Sequence, residues 1–232
     1  MTTPAEHWDR SYAMDDYKYG KLPNEFLRDQ VGACPAGGRL LCLGEGEGRN
    51  ATFLAAQGFE VVAVDASAVG LAKADKLAKE RGVRITTLVA DLDAFSLGRD
   101  AWDAVVSIWC HLPPALRARV HRELPLALRP RGVLLLEAYT PAQLRFNTGG
   151  PQSADLLPTL AELRVELAGL EFEVAVERER DVHEGQAHRG RSAVVQIIAR
   201  RRPERTAAST KCRDEVTPGA SGGGETDRPH QS

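Results

Sequence analysis

The chain has 232 residues, with 30 Lys and Arg against 32 Asp and Glu, a formal net charge of −2, 43% hydrophobic and 27% charged residues. This composition fits one ordinary globular domain, and the missing cationic excess argues against charge-driven binding of nucleic acid. Cys34, Cys42, Cys110 and Cys212 form no C-x-x-C pair and no zinc spacing with histidine, and no apolar run reaches the ~18–20 residues of a membrane span, so the expectation is a reduced, unanchored, cytoplasmic protein without a metal site.

The first 37 residues read as an aromatic arm followed by a helix. Tyr17 and Tyr19, two apart in an extended chain, can point together at a ligand, while Phe26 and Leu27 suit a helix packed on a sheet edge. Within residues 38–202, apolar runs alternate with helical periodicity, the pattern of βαβ units around a parallel sheet, and the fold class is α/β. Strands are expected at Arg39–Leu43, Glu60–Val64, Arg84–Val89, Trp102–Ile108 and Gly132–Ala138, each buried on both faces. Helices are expected at Arg49–Gln57, Ser67–Arg81, Pro114–Leu128 and Leu156–Leu167, the first closed by Gly58 and the second capped by Ser67. Alternating apolar and polar residues at Glu171–Asp181 and Ser192–Arg200, around Gly185 and Gly190, read as a terminal antiparallel hairpin whose His183 and His188 are expected to be solvated. Residues 203–232, rich in Ser, Thr, Gly and Pro, are expected to be disordered.

The chemistry concentrates at the first strand, which runs into Gly44-Glu45-Gly46-Glu47-Gly48-Arg49-Asn50. Glycines there let backbone N–H groups reach a ligand at a helix N-terminus. Arg49 stands where a dinucleotide fingerprint has its third glycine, and two glutamates in the loop repel a pyrophosphate, which weighs against a nicotinamide oxidoreductase. Glu45 can instead pair with an ammonium while the loop backbone meets a carboxylate, as an amino-acid moiety requires. Asp65 ends the second strand 21 residues after Gly44, the separation at which a carboxylate accepts ribose hydroxyls; capping the following helix is the competing role. Asp91 ends the third strand and can accept an adenine amine while Leu92 packs on the ring, or can serve as a plain loop carboxylate. Amino acid, ribose and adenine together describe S-adenosylmethionine.

The run Leu41-Cys42-Leu43-Gly44-Glu45-Gly46-Glu47-Gly48-Arg49-Asn50, with Asp65, Asp91 and the terminal hairpin, resembles the class I S-adenosylmethionine-dependent methyltransferases over roughly Trp8 to Arg200. Within them it is most similar to the small bacterial tellurite-resistance and thiopurine-methyltransferase-like group. The resemblance implies a doubly wound, mostly parallel, seven-stranded, Rossmann-like sheet with an antiparallel hairpin. It implies cofactor contacts from Tyr17, Tyr19, Gly44, Glu45, Gly46, Asn50, Asp65, Asp91, Leu92 and Ile108. The family usually has an acidic residue where this chain has Cys42, so Glu45 is the candidate partner of the methionine ammonium, and Cys42 is expected to be a buried strand residue.

The acceptor is expected over the segment from Ser107 to Pro114. Ile108-Trp109-Cys110-His111 replaces the Asn/Asp-Pro-Pro-aromatic run of enzymes that methylate adenine amines, which counts against a nucleic-acid substrate. Trp109 can face the sulfonium or pack on the sheet, and His111 is the candidate base or else a hydrogen-bonded loop residue. Tyr139 to Pro141 and residues 145–150 are expected to complete the pocket, with Arg145 suited to an anionic acceptor. The partner expected is a small molecule, a thiol or chalcogen anion in the first instance. An O or N acceptor, RNA or protein included, is the alternative, and monomer and homodimer both remain open.

Overall fold

The computed structural model describes residues 2–203. Seven strands form one sheet: β1 (Arg39–Leu43), β2 (Glu60–Asp65), β3 (Thr86–Val89), β4 (Trp102–Ile108), β5 (Leu128–Tyr139), β6 (Leu170–Glu184) and β7 (His188–Arg201), in the order β3-β2-β1-β4-β5-β7-β6. Strands β1 to β5 are parallel, and β7 inserts antiparallel between β5 and β6. Two helices precede the sheet, α1 (Pro4–Tyr12) and α2 (Glu25–Gln30), and four connect its strands: α3 (Arg49–Ala56), α4 (Ala68–Glu80), α5 (Pro114–Ala127) and α6 (Leu160–Glu166).

The sheet carries a core on each face. On one, Leu41, Leu43, Val105, Leu134 and Leu136 pack against Val120 and Leu124 of α5 and Leu163 of α6. On the other, Leu40, Cys42, Val106, Ile108, Val133 and Leu135 pack against Phe26 and Leu27 of α2, Leu54 of α3 and Leu71 of α4. The odd and even residues of one strand thus serve opposite layers, as expected of a sheet buried on both faces. The strand order reverses between β1 and β4, and the carboxyl ends of those two strands form the crevice where ligands bind in open α/β sheets.

Four expectations need correction. Strand β3 begins at Thr86 instead of Arg84, and as an edge strand it is largely exposed, with Val89 at 61%. Strand β5 starts at Leu128, directly where α5 ends, and skips three residues in its register with β4 between Trp102 and Ala104. The expected helix at Leu156–Leu167 is a 3-10 turn at Ala154–Leu156 followed by α6. Pro158 separates them, and Thr159 and Glu162 close a capping box. Finally, the arm holds a helix of its own, α1, which Thr3 and Glu6 cap in the same way. The tail expected to be disordered lies, beyond Pro203, outside the described residues.

Candidate active site

Gly44, Gly46 and Gly48 hold φ of 59°, 61° and 86°, left-handed values that favour glycine, and carry the chain from β1 into α3. A Cβ on Gly44 would stand 2.9 Å from Cys110 Sγ, and one on Gly46 would stand 2.5 Å from the Tyr12 hydroxyl oxygen. The Cys110 and Tyr12 side chains therefore cover the loop at these two glycines. Burial lifts the Cys110 thiol to about 12, so it remains neutral.

Asp65, at the end of β2, lies beside this loop. Its Oδ2 accepts from Gly46 N and its Oδ1 from Ser67 N, each at 2.8 Å, and Ser67 in turn caps α4. Burial raises its pKa and these two backbone donors oppose the rise. Glu45 is placed differently from expectation. Its Oε1 accepts from Asn50 N and Ala51 N at 3.0 and 2.8 Å, capping the first turn of α3, and burial pushes its pKa up to about 7. Asn50 likewise turns from the loop, its Oδ1 accepting from Asn24 N at 2.9 Å. Asp91 is exposed and accepts from Asp93 N, whereas Leu92 and Ile108 are buried in the two cores.

The arm lies across the loop. Tyr12 is buried there and stacks on Trp8 at 5.5 Å. Tyr17 and Tyr19 do not point together. Tyr17 donates its hydroxyl to Lys73 O on α4, while the Tyr19 ring meets His188 at 4.6 Å. Lys73 Nζ is the latch, donating to the carbonyls of Tyr12, Met14 and Asp16 and pairing with Glu47 Oε1 at 2.5 Å. Removing charged hydrogen bonds of this kind typically costs ~1.5–3 kcal/mol each. Lys73→Met is therefore expected to speed amide exchange of residues 12–19 by at least about tenfold, and unchanged protection would show that aromatic packing alone holds the arm.

On the side where the acceptor is expected, Trp109 follows β4 with φ of 57°, uncommon for a bulky residue. Its N–H donates to Glu137 O at 2.9 Å, and its ring stacks on Tyr139 at 4.3 Å and on His188 at 5.2 Å. His188, expected to be solvated, is buried under Tyr19 and shares a 2.5 Å hydrogen bond with the Tyr139 hydroxyl. His183 is exposed as expected, and Arg145 is exposed and paired with Glu179. Beside these rings lies a largely buried polar cluster that the sequence did not reveal: Asn24, Arg49, Glu137, Arg180, Glu184 and Gln196.

His111 cannot serve as the base in this arrangement. Its Nε2 accepts from Tyr139 N at 3.0 Å, so the proton sits on Nδ1, which donates to Trp109 O at 3.0 Å. Both nitrogens are held by backbone, and burial lowers the pKa to about 4. His188 is lowered to about 3 for the same reason.

These shifts set the acid response of the fold. Between pH 5 and 6 the unfolded chain binds protons on both histidines that the folded chain refuses, so stability rises with pH. Glu45 acts in the opposite sense, because the folded chain keeps a proton that the unfolded chain releases. The net difference is about one proton, and stability is expected to fall by ~1.4 kcal/mol from pH 6 to pH 5. Glu45→Gln is expected to double that slope; urea unfolding at the two pH values measures it, and equal stabilities in both proteins would refute it.

Residues 40–132 match the family model described as a methyltransferase domain. No protein of curated function matches the sequence. Among solved structures, one from the conversion of a disulfide bond into a thioacetal group during echinomycin biosynthesis is 19% identical with a TM-score of 0.71, covering 88% of this chain and 94% of its own. A SAM-dependent methyltransferase from Methanosarcina mazei is 17% identical with a TM-score of 0.61, covering 75% and 97%. TehB from Haemophilus influenzae is 17% identical with a TM-score of 0.58, covering 86% and 68%. Residues 40–132 thus resemble a methyltransferase domain, and the sheet has the class I fold of the S-adenosylmethionine-dependent methyltransferases.

Proposed function

We propose that the protein transfers a methyl group from S-adenosylmethionine to a small acceptor whose nucleophile is an ionised sulfur or heavier chalcogen. The cofactor fits the residues present. The left-handed Gly44 and Gly46 turn the loop under Cys110 and Tyr12, and Asp65, accepting from two backbone N–H groups, lies beside them. When bound, the cofactor supplies an electrophilic methyl on a sulfonium; the chain's own part is to hold the acceptor in line and keep water out.

The observation that carries the acceptor class is that the candidate base His111 and the two buried carboxylates beside Trp109 are already engaged. His111 has both nitrogens on backbone, and the oxygens of Glu137 and Glu184 accept from Asn24, Arg49, Trp109, Arg180 and Gln196. A thiolate or a tellurite-derived anion is already deprotonated near neutral pH and needs no such base, whereas an alcohol or a phenol does. The likeness to TehB and to the protein of the disulfide-to-thioacetal conversion supports the same reading.

Transfer of labelled methyl to panels of thiols, chalcogen oxyanions, amines and phenols tests it. Thiol or chalcogen turnover is expected, and His111→Gln is expected to lower it by less than tenfold, without removing a limb near pH 6.5 from the pH profile. Efficient methylation of a phenol or amine with no thiol turnover would overturn the acceptor class. Binding of NAD without binding of S-adenosylhomocysteine would overturn the cofactor.

A further inference from the structure

We infer that Glu184 is a positioning residue, one whose single carboxylate fixes the Trp109 indole and ties it to the helix that follows the glycine loop. The cofactor half of this inference rests on the proposed function; the indole half does not.

Glu184 is the last residue of β6, 135 positions from Arg49, and is 3% exposed. Its Oε2 receives two donors at once, Trp109 Nε1 at 2.7 Å and Arg49 Nη2 at 2.6 Å. Its Oε1 receives Asn24 Nδ2 at 2.8 Å and Arg180 Nη2 at 3.1 Å. Arg49 is the first residue of α3 and directly follows Gly48, so one oxygen atom joins the glycine loop to the acceptor wall. Asn24 ends the arm and caps α2. Three segments far apart in sequence therefore meet on this side chain, and the next residue, Gly185, is the one on which Tyr19 and Gly20 rest.

Trp109 needs such a tether. Its backbone is held in the left-handed region by the hydrogen bond from its N–H to Glu137 O, which sets where the ring starts. Stacking on Tyr139 restricts the ring's tilt but leaves it able to slide in its own plane. The directional N–H···O bond to Glu184 fixes that remaining freedom, and a carboxylate held by two guanidinium groups is itself immobile. A shift of Arg49 when the loop takes up a ligand is passed to the indole through the shared oxygen.

Incorporating 5-fluorotryptophan gives three fluorine resonances, from Trp8, Trp102 and Trp109, with Trp109→Phe assigning the last. Trp102 donates to Leu97 O in the core, far from Glu184, and reports whether the fold is intact. Two variants are compared with the parent: Glu184→Gln, which removes the charge, and Glu184→Asp, which keeps the charge but shortens its reach. In both, without ligand, the Trp109 resonance is expected to move and broaden while that of Trp102 stays in place. An unmoved Trp109 resonance overturns the positioning role. Loss of the dispersed Trp102 resonance in both variants also overturns it, leaving Glu184 a determinant of folding only.

Titration with S-adenosylhomocysteine tests the link to the loop. The Trp109 resonance of the parent is expected to shift on binding, and both variants are expected to lose that shift while their affinity by calorimetry changes less than about threefold. A shift retained in the variants overturns the link. No calorimetric binding to the parent would refute the cofactor reading instead, and the ligand-free spectra would still decide whether Glu184 positions Trp109.

Discussion

Asp65→Ala is expected to weaken binding of S-adenosylmethionine by ten- to a hundredfold. The carboxylate is the proposed partner of the ribose hydroxyls, and one hydrogen bond to a charged group contributes ~1.5–3 kcal/mol. The same side chain also accepts from Gly46 N and Ser67 N, so its removal leaves two backbone donors at the loop without their acceptor. Asp65→Asn separates the two effects. An amide oxygen can still accept from one backbone N–H, so the loop is expected to stay closer to its shape while the charge-assisted part of the affinity is lost. Calorimetry with S-adenosylhomocysteine measures both variants, and unchanged affinity in a folded Asp65→Ala protein would place the nucleoside elsewhere.

Arg180→Met is expected to lower the melting temperature by roughly 6–20 °C. Glu137 is fully buried and takes a two-pronged contact from Arg180, Nε to Oε1 and Nη2 to Oε2, each at 2.9 Å. Breaking a buried pair by removing one partner costs ~3–5 kcal/mol, because the other charge stays buried and uncompensated. For a domain of this size, 1 kcal/mol corresponds to about 2–4 °C. Adding Glu137→Met is expected to recover part of the loss, since the stranded charge is then gone. Arg191→Met, which breaks an exposed pair with Glu179, is expected to cost no more than ~1 kcal/mol. Thermal unfolding followed by circular dichroism ranks the three, and equal effects of Arg180→Met and Arg191→Met would refute the argument from burial.

The parts of this fold that could be read from sequence are those fixed by short-range pattern. Arg39–Leu43 and Trp102–Ile108 are apolar runs bounded by Gly38 and by Asp100 and Ala101, and both strands fall where the pattern puts them. The glycine loop was legible for the same reason, since three glycines two apart after a strand permit one kind of turn. Two local signals were present but overlooked: Thr3-x-x-Glu6 and Thr159-x-x-Glu162 are capping boxes that mark the starts of α1 and α6. The misjudged residues are those whose surroundings come from distant segments. His188 sits beside glycines in a turn and reads as solvated, yet Tyr19, from the other end of the chain, covers it. His111 reads as a base until its two backbone partners are located, one of them at the end of another strand. Asn50 belongs to a ligand motif by spacing, but its side-chain oxygen accepts from Asn24 N, 26 positions back.

The position of β7 has a consequence for how the chain is made. It is the last strand among the described residues, yet it lies inside the sheet, pairing with β5 along Val133–Tyr139 on one side and with β6 on the other. A nascent chain that has emerged only as far as Gln186 therefore has β5 as an open edge, with Leu134, Leu135 and Leu136 lacking the neighbours Val195, Ile197 and Ile198 that pack beside them. Such an edge is a template for pairing with other chains. The ribosome thus delivers the element that closes the central sheet last, and the same stretch brings in His188. Until the fourteen residues of β7 have emerged, that edge stays open.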